Sequence, residues 1–284
     1  ADHHLIVGPW VHDTSLPAGE RDFGPNCGFD ALAGVELSWF DHHVRGAARP
    51  PLAPYRIFVM GRNEWRDEEA WPLPDTRSTP CYLREGGALS TDAPGRETPD
   101  DYVYDPDDPV PTHGGCILFD TPAGPLDQRA VEARPDVLVY TSDALTEEVE
   151  VTGPVEVILY ASSDAPDTDW TAKLVDVHPD GRAFNLCDGV VRARYREGDA
   201  PPTLIEPGRV YRYHIDLWIT SNVFLAGHRI RLDISSSNFP RVDRNPNTGH
   251  DFGVDSELAV ARQTVYHDDD RPSHVILPVI PRRR

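Results

Sequence analysis

Few residues in this chain combine reactive side chains with a setting that suits chemistry. The first is His12, which closes Leu5-Ile6-Val7-Gly8-Pro9-Trp10-Val11-His12. Three apolar β-formers run into a Gly-Pro turn, so the histidine stands on a loop at a strand end, where a general base can be displayed to a cleft. A strand followed by an exposed His is also common without chemistry, so the motif alone leaves both readings open. Asp164, Asp167 and Asp169 form a second cluster. Alternating oxygen ligands suit calcium, but the glycine turn and terminal glutamate of an EF-hand are missing, and a turn capped by its own aspartates is the simpler expectation. The run His267-Asp268-Asp269-Asp270 also has ligand-type residues. Neighbouring positions on extended backbone point to opposite faces, so a solvated hairpin tip is expected there instead of a metal centre. A polar run from Ser235 to Gly249 reads as a long hydrogen-bonded loop. Thr112-His113-Gly114-Gly115-Cys116-Ile117-Leu118-Phe119 reads either as a tight turn before a strand or as a loop whose Leu118 and Phe119 line an apolar pocket.

The elements that must position these residues change character along the chain. Leu32, Val35, Trp39, Phe40 and Val44 recur at helical spacing until Gly46, which predicts one amphipathic helix from about Phe29 to Arg45. His42 and His43 near its end suit the helix dipole. Tyr55–Gly61 reads as a buried strand, and the segment with Trp65, Trp71, Pro72 and Pro74 reads as a domain boundary held by aromatic packing. From about Ser78 onward the pattern is short strands between turn residues. Expected among them are Pro80–Arg84, Asp101–Tyr104, Cys116–Phe119, Val137–Thr141, Glu148–Thr152, Val155–Ala161, Trp170–His178, Val190–Tyr195, Val210–Trp218, His228–Ile234, Leu258–Tyr266 and His274–Ile280. The fold expected from these strands is mainly β, a β-sandwich or jelly roll, with a boundary at the proline-rich segment that ends near residue 75.

Composition narrows the possible partners. A net charge of −20, from 47 acidic and 27 basic side chains, repels phosphate backbones, so nucleic acid is not expected as a partner. No apolar run has membrane-spanning length. Cys27, Cys81, Cys116 and Cys187 are far apart in sequence and form no C-x-x-C pair, so reduced thiols are expected, with no zinc site and no disulfide framework. The chain starts at Ala1 and its one methionine is Met60. It is therefore expected to be the C-terminal part of a longer protein.

The residues also resemble a known family. Gly8-Pro9-Trp10-Val11-His12 is similar to the histidine motif of the cocaine esterase–like (CocE/NonD) serine hydrolases, a group related to α-amino acid ester hydrolases, cephalosporin acylases and X-Pro dipeptidyl-peptidases. The similarity continues in order through Phe58-Val59-Met60-Gly61 with Glu64-Trp65-Arg66, Trp71-Pro72-Leu73-Pro74, Tyr104-Asp105-Pro106 and Gly124–Arg129. It runs on through Asp167–Val177 and Ser236–Pro240.

The resemblance implies a C-terminal jelly-roll β-sandwich, galactose-binding-like, in residues 76–284, preceded in residues 1–75 by the last strand and helix of an α/β-hydrolase core. It further implies acyl transfer on an ester or amide, with His12 as the triad histidine and the nucleophilic serine and triad aspartate upstream of this chain. No cofactor and no metal is implied, and Asp13 is not the triad acid by chain order. Leu118 and Phe119 match a loop that reaches the acyl group in that family. The partners implied are a small ester or amide substrate and the N-terminal hydrolase portion of the same protein. A homodimer is compatible with a jelly-roll surface, and a bacterial cytoplasmic location is favoured. The competing reading is a non-catalytic β-sandwich module for carbohydrate binding or docking.

Overall fold

The computed structural model describes residues 3–12, 18–25, 27–28, 30–118, 122–251, 253–254 and 256–281, and in it the chain forms two sheets of unequal size. In the small sheet, β1 (Leu5–Val7) pairs in parallel with β2 (Tyr55–Val59), which pairs antiparallel with β3 (Glu64–Glu68). A parallel pair needs a crossover, and α1 (Asp30–Arg45) supplies it. Gly46, at φ +68°, ends the helix by donating its N–H to the His42 carbonyl. Leu32 is buried, whereas Leu37, Phe40 and Val44 on the same helix are 60, 61 and 75% exposed. Leu5 and Val7 are exposed as well. This strand–helix unit therefore presents an apolar surface to solvent. The segment with Trp65, expected as a crossing stretch, is the strand β3.

The large sheet contains β4 (Arg77–Arg84), β5 (Ala88–Ser90), β6 (Asp100–Tyr104), β7 (Leu138–Thr141), β8 (Val149–Ser163), β9 (Asp169–Val177) and β10 (Ala183–Arg192). It is completed by β11 (Tyr211–Phe224), β12 (Arg229–Ser235), β13 (Ala261–Tyr266) and β14 (His274–Ile280), and one short helix, α2 (Arg129–Glu132), lies between β6 and β7. The strand order is β10-β9-β12-β7-β5-β4-β14-β8-β13-β6, with β11 on the other side of β8. One core cluster joins Trp170, Leu174 and Leu232 of β9 and β12 to Val157, Leu159, Tyr213, Ile215 and Val275 of β8, β11 and β14. The path thus folds back on itself as a β-sandwich, and the chain is mainly β as expected. Among the described residues no helix is long and apolar enough to cross a membrane.

Three local expectations are corrected. The turn expected at Gly153-Pro154 does not interrupt β8, because its partners absorb the irregularity. The β11 register shifts between Asp216 and Ile219, opposite Val155 beside the proline, and the β14 register shifts between Ile276 and Val279, across the stretch that contains the proline, which has no N–H to donate. Cys116–Leu118 is not a strand: Gly115 makes an isolated bridge to Gly124, and the chain then leaves the sheet. His267 is not at a solvated tip. Its side chain is fully buried, with Nδ1 3.2 Å from Glu97 and Nε2 3.0 Å from Asp100, while the Tyr140 hydroxyl donates to Asp100.

The two sheets meet at one point of backbone. Met60 N–H donates to the Ser221 carbonyl (3.0 Å), and Val223 N–H donates to the Met60 carbonyl (2.8 Å). The next residue, Gly61, has φ +86°, and a Cβ there would lie 2.1 Å from the Val223 oxygen. Only glycine fits that approach. Ile57, Val59 and Val223 then close a small apolar cluster across the junction.

The His267 network makes a pH prediction. Burial pushes its pKa down, but hydrogen bonds and charge from Asp100 and Glu97 outweigh burial and hold it above 6.5. Those carboxylates are held below their ordinary range. The stabilisation is complete only where the carboxylates are ionised and unfolded histidine would be protonated, between about pH 5 and 6.5, and it fades as pH rises through the folded histidine's pKa. The difference in Tm between the native protein and His267→Gln is therefore expected to be largest near pH 6 and to shrink toward pH 9. A difference that grows with pH would contradict this.

Candidate functional site

The histidine loop is positioned by an aromatic chain. Gly8 has no Cβ, and one would lie 2.5 Å from the Trp10 ring, so the glycine lets the indole fold back over the strand end. Trp10 Nε1 donates to the Cys27 carbonyl. Its ring meets Trp65 at 5.7 Å, Trp65 meets Phe58 edge-on at 5.2 Å, and Phe58 meets Phe23 at 6.0 Å. Offset and edge-to-face contacts of this kind add about 0.5–1.5 kcal/mol each beyond area burial. The His12 side chain, two residues beyond Trp10, is exposed.

The opposite wall is built from three chain segments fastened to β10. Glu20 N–H donates to the Pro125 carbonyl (2.8 Å), and Gly19 lies so close to Pro125 that a Cβ would fall 2.2 Å from its oxygen. Gly124 and Gly115 exchange backbone bonds of 2.9 and 2.7 Å. Beneath them Gln128 Nε2 donates to the carbonyls of His113 and Leu126 and to Asn185 Oδ1, and its Oε1 accepts from Lys173 Nζ at 2.7 Å. Lys173, the chain's one lysine, is half-buried, and desolvation pushes its pKa down. This hub supports the loop that presents Leu118, which is 62% exposed.

The remaining wall comes from β10 and β11. Arg241 pairs with Asp188, and Asn238 Nδ2 donates to the same carboxylate at 2.9 Å. The three walls enclose a cleft of about 660 Å³ lined by His12 and Leu118 together with Trp10, Leu186, Trp218, Ile219 and the Asp188–Arg241 pair. That volume suits a small organic molecule. His12 and Leu118, singled out from sequence, thus face one cavity. Phe119 and Asp13 lie outside the described residues. The sequence reading missed Trp218 and the Asp188–Arg241 pair. A signal for Trp218 was present, since the alternation of Tyr213, Ile215 and Leu217 turns the next residue outward.

The acidic loop takes neither role expected of it. Asp167 and Asp169 are buried, paired with Arg194 and Arg192 respectively, and both accept from Asn245 Nδ2. Asp164 accepts the Arg262 N–H. A further cluster was not recognised from sequence: ligand atoms of Asp176, His178 and His228 lie within 4.8 Å of one another. The His228 Nδ1 to Asp176 Oδ1 distance is 2.8 Å, and Arg21, from the segment after the histidine loop, lies 3.8 Å from Asp176 Oδ2. Arg21 supplies beside the carboxylate the positive charge that a metal would bring. Its burial pushes its pKa down, and Asp176 opposes that shift. The cluster ties the cleft loop to the sandwich.

Known proteins resemble this arrangement. Residues 49–276 match the X-Pro dipeptidyl-peptidase C-terminal non-catalytic domain. Cocaine esterase of Rhodococcus sp. (strain MB1 Bresler) is 48% identical over 299 residues, covering 99% of this chain and 52% of that protein. A solved aminopeptidase from the marine sediment archaeon Thaumarchaeota archaeon superposes with a TM-score of 0.91 at 29% identity, over 98% of this chain and 50% of that one. An α-amino acid ester hydrolase superposes at 0.87 with 31% identity, over 97% and 50%. This chain spans about half the length of the curated relatives it matches. Fold and cleft define a mainly β protein, a β-sandwich with a cleft where it meets a small strand–helix unit. The chain belongs to the X-Pro dipeptidyl-peptidase C-terminal domain family, in its cocaine esterase–like branch.

The Gln128 hub yields a stability prediction. Gln128→Leu removes the acceptor of the Lys173 ammonium and the donors to two loop carbonyls, so a loss of about 3 kcal/mol is expected in denaturant unfolding. A change under about 0.5 kcal/mol would show that the hub does not hold the wall.

Proposed function

We propose that this chain supplies the general base of a serine hydrolase that cleaves ester or amide bonds through an acyl-enzyme. The observation that carries this reading is the position of His12. It stands at the exit of a parallel strand and faces the same cleft as Leu118, within a chain homologous to ester hydrolases. In this reading residues 1–75 close an α/β-hydrolase core whose earlier strands lie upstream, and residues 76–284 form the jelly roll. The exposed apolar residues of β1 and α1 support it, because Leu5, Val7, Leu37, Phe40 and Val44 are the surface such a core would cover.

His12 takes the proton of the upstream serine as that oxygen attacks the substrate carbonyl, then returns it to the leaving alcohol or amine. Water resolves the acyl-enzyme with His12 again as base. The triad aspartate also comes from upstream and orients the imidazole. Leu118 contacts the acyl group, with Phe119 beside it in sequence. No cofactor enters the reaction. A docking or carbohydrate-binding module is the competing reading, and the matched domain is described as non-catalytic. That match begins at residue 49, beyond His12, so the description does not extend to the histidine loop.

Two outcomes test the proposal. The reading frame upstream of Ala1 is expected to encode G-x-S-x-G followed by a loop aspartate. In the intact protein His12→Ala should lower kcat on an activated ester by roughly 10³-fold or more, as loss of a triad member does elsewhere. An upstream region without that serine, or turnover unchanged by the substitution, would reject the reading.

A further inference from the structure

We infer that Trp218 determines specificity in this cleft, where a strained β-bulge holds its indole ready to receive a flat, uncharged group of the substrate. This rests on the reading of His12 as the catalytic base.

The backbone at Trp218 is unusual. Its φ is +65°, a region that bulky residues rarely adopt. The strain is localised in the bulge of β11, where Leu217 and Trp218 together face Val155 alone on β8, between the pairs Asp216↔Glu156 and Ile219↔Pro154. Trp218 N–H, turned out of the ladder, donates to Asp216 Oδ1 at 2.7 Å. The neighbouring strand is shaped to the bulge: a Cβ on Gly189 of β10 would lie 2.0 Å from the Asp216 carbonyl oxygen. One side chain, that of Asp216, and one glycine therefore cooperate to hold this conformation.

A bulge of this kind needs only glycine or asparagine at the left-handed position. Tryptophan is a costly choice there, and it contributes little to the core, since 69% of the residue is exposed while adjacent Leu217 is fully buried. Retained strain at an exposed aromatic points to a task for the side chain. The task follows from location, because Trp218 and Ile219 line the cleft that His12 and Leu118 also line.

The chemistry of the surroundings selects the ligand class. An indole offers a flat π face, and Leu118, Leu186 and Ile219 add apolar surface. Among the described residues the cleft is lined by one carboxylate and one guanidinium, Asp188 and Arg241, which are bonded to each other, so the pair presents no net charge to a ligand. The geometry therefore suits an aromatic or compact alicyclic acyl or alcohol group without charge.

The test uses the intact protein and two ester series: methyl acetate against methyl benzoate, and methyl acetate against benzyl acetate. Trp218→Gly removes the indole at a backbone angle that glycine adopts freely, so Tm is expected to hold or rise. The ratio of kcat/KM for aromatic over methyl groups is expected to fall about ten-fold or more in at least one series, and Trp218→Phe should restore most of it. Equal loss on all three esters, ratios unmoved, or a lowered Tm with ratios unmoved would assign Trp218 to structure or docking and overturn the inference. Native protein that hydrolyses none of the three esters would overturn the parent reading and this inference together. Native protein that hydrolyses them with ratios insensitive to Trp218→Gly overturns this inference alone.

Discussion

The close approach of Met60 and Gly61 to Ser221–Val223 is the constraint on which the rest of the site depends. Two backbone hydrogen bonds and one obligatory glycine fix the small sheet against the sandwich. Everything that places His12 follows from that contact. β2 sets the register of β1, the Gly8 turn leaves β1, and the stacked rings of Trp10, Trp65, Phe58 and Phe23 hold the turn. Backbone junctions of this kind tolerate little change, because a displaced carbonyl has no alternative partner inside the protein.

A second tie closes the cleft from the far side. The segment 18–25 crosses from the histidine loop to the sandwich, bonding Pro125 through Glu20 and reaching Asp176 and Asn222 through Arg21. Arg21 and Asp176 are both buried, 9 and 0% exposed, so neither charge is solvated if the other is removed. Arginine serves this purpose repeatedly: Arg192 grips Asp169 through two nitrogens and Arg194 grips Asp167. A guanidinium can satisfy several acceptors in a fixed plane. This helps explain how a chain of net charge −20 buries so many carboxylates. The single lysine donates to the Gln128 amide oxygen, with the charges of Asp233, Asp188 and Glu132 also acting on it.

Much of the fold was legible in the sequence because it rests on local periodicity. The helix, the strand before it and the long strand that ends near Trp218 appear where expected, and the mainly β class with its family resemblance agrees with the relatives found. What was not legible depends on partners distant in sequence. Gly153-Pro154 reads as a turn until β11 and β14 are seen to shift register around it. The Asp167 and Asp169 carboxylates read as a turn or ion site until arginines some 25 residues later are folded onto them. His267 reads as exposed until Asp100, on the neighbouring strand β6, and Glu97 just before it are folded against it from a distant part of the sequence. The left-handed bulge at Trp218 breaks the strand period at a single residue, and no local composition marks it.

His12, Leu118 and Trp218 line one cleft. Whether that cleft holds the reacting serine is read from a crystal structure of the intact protein after reaction with a serine-directed aryl phosphonate. Expected is a phosphonylated serine whose oxygen lies about 3 Å from a His12 ring nitrogen, with the aryl group against Trp218 or Leu118. A phosphonylated serine remote from this cleft, or His12 turned away from the adduct, would contradict the proposal.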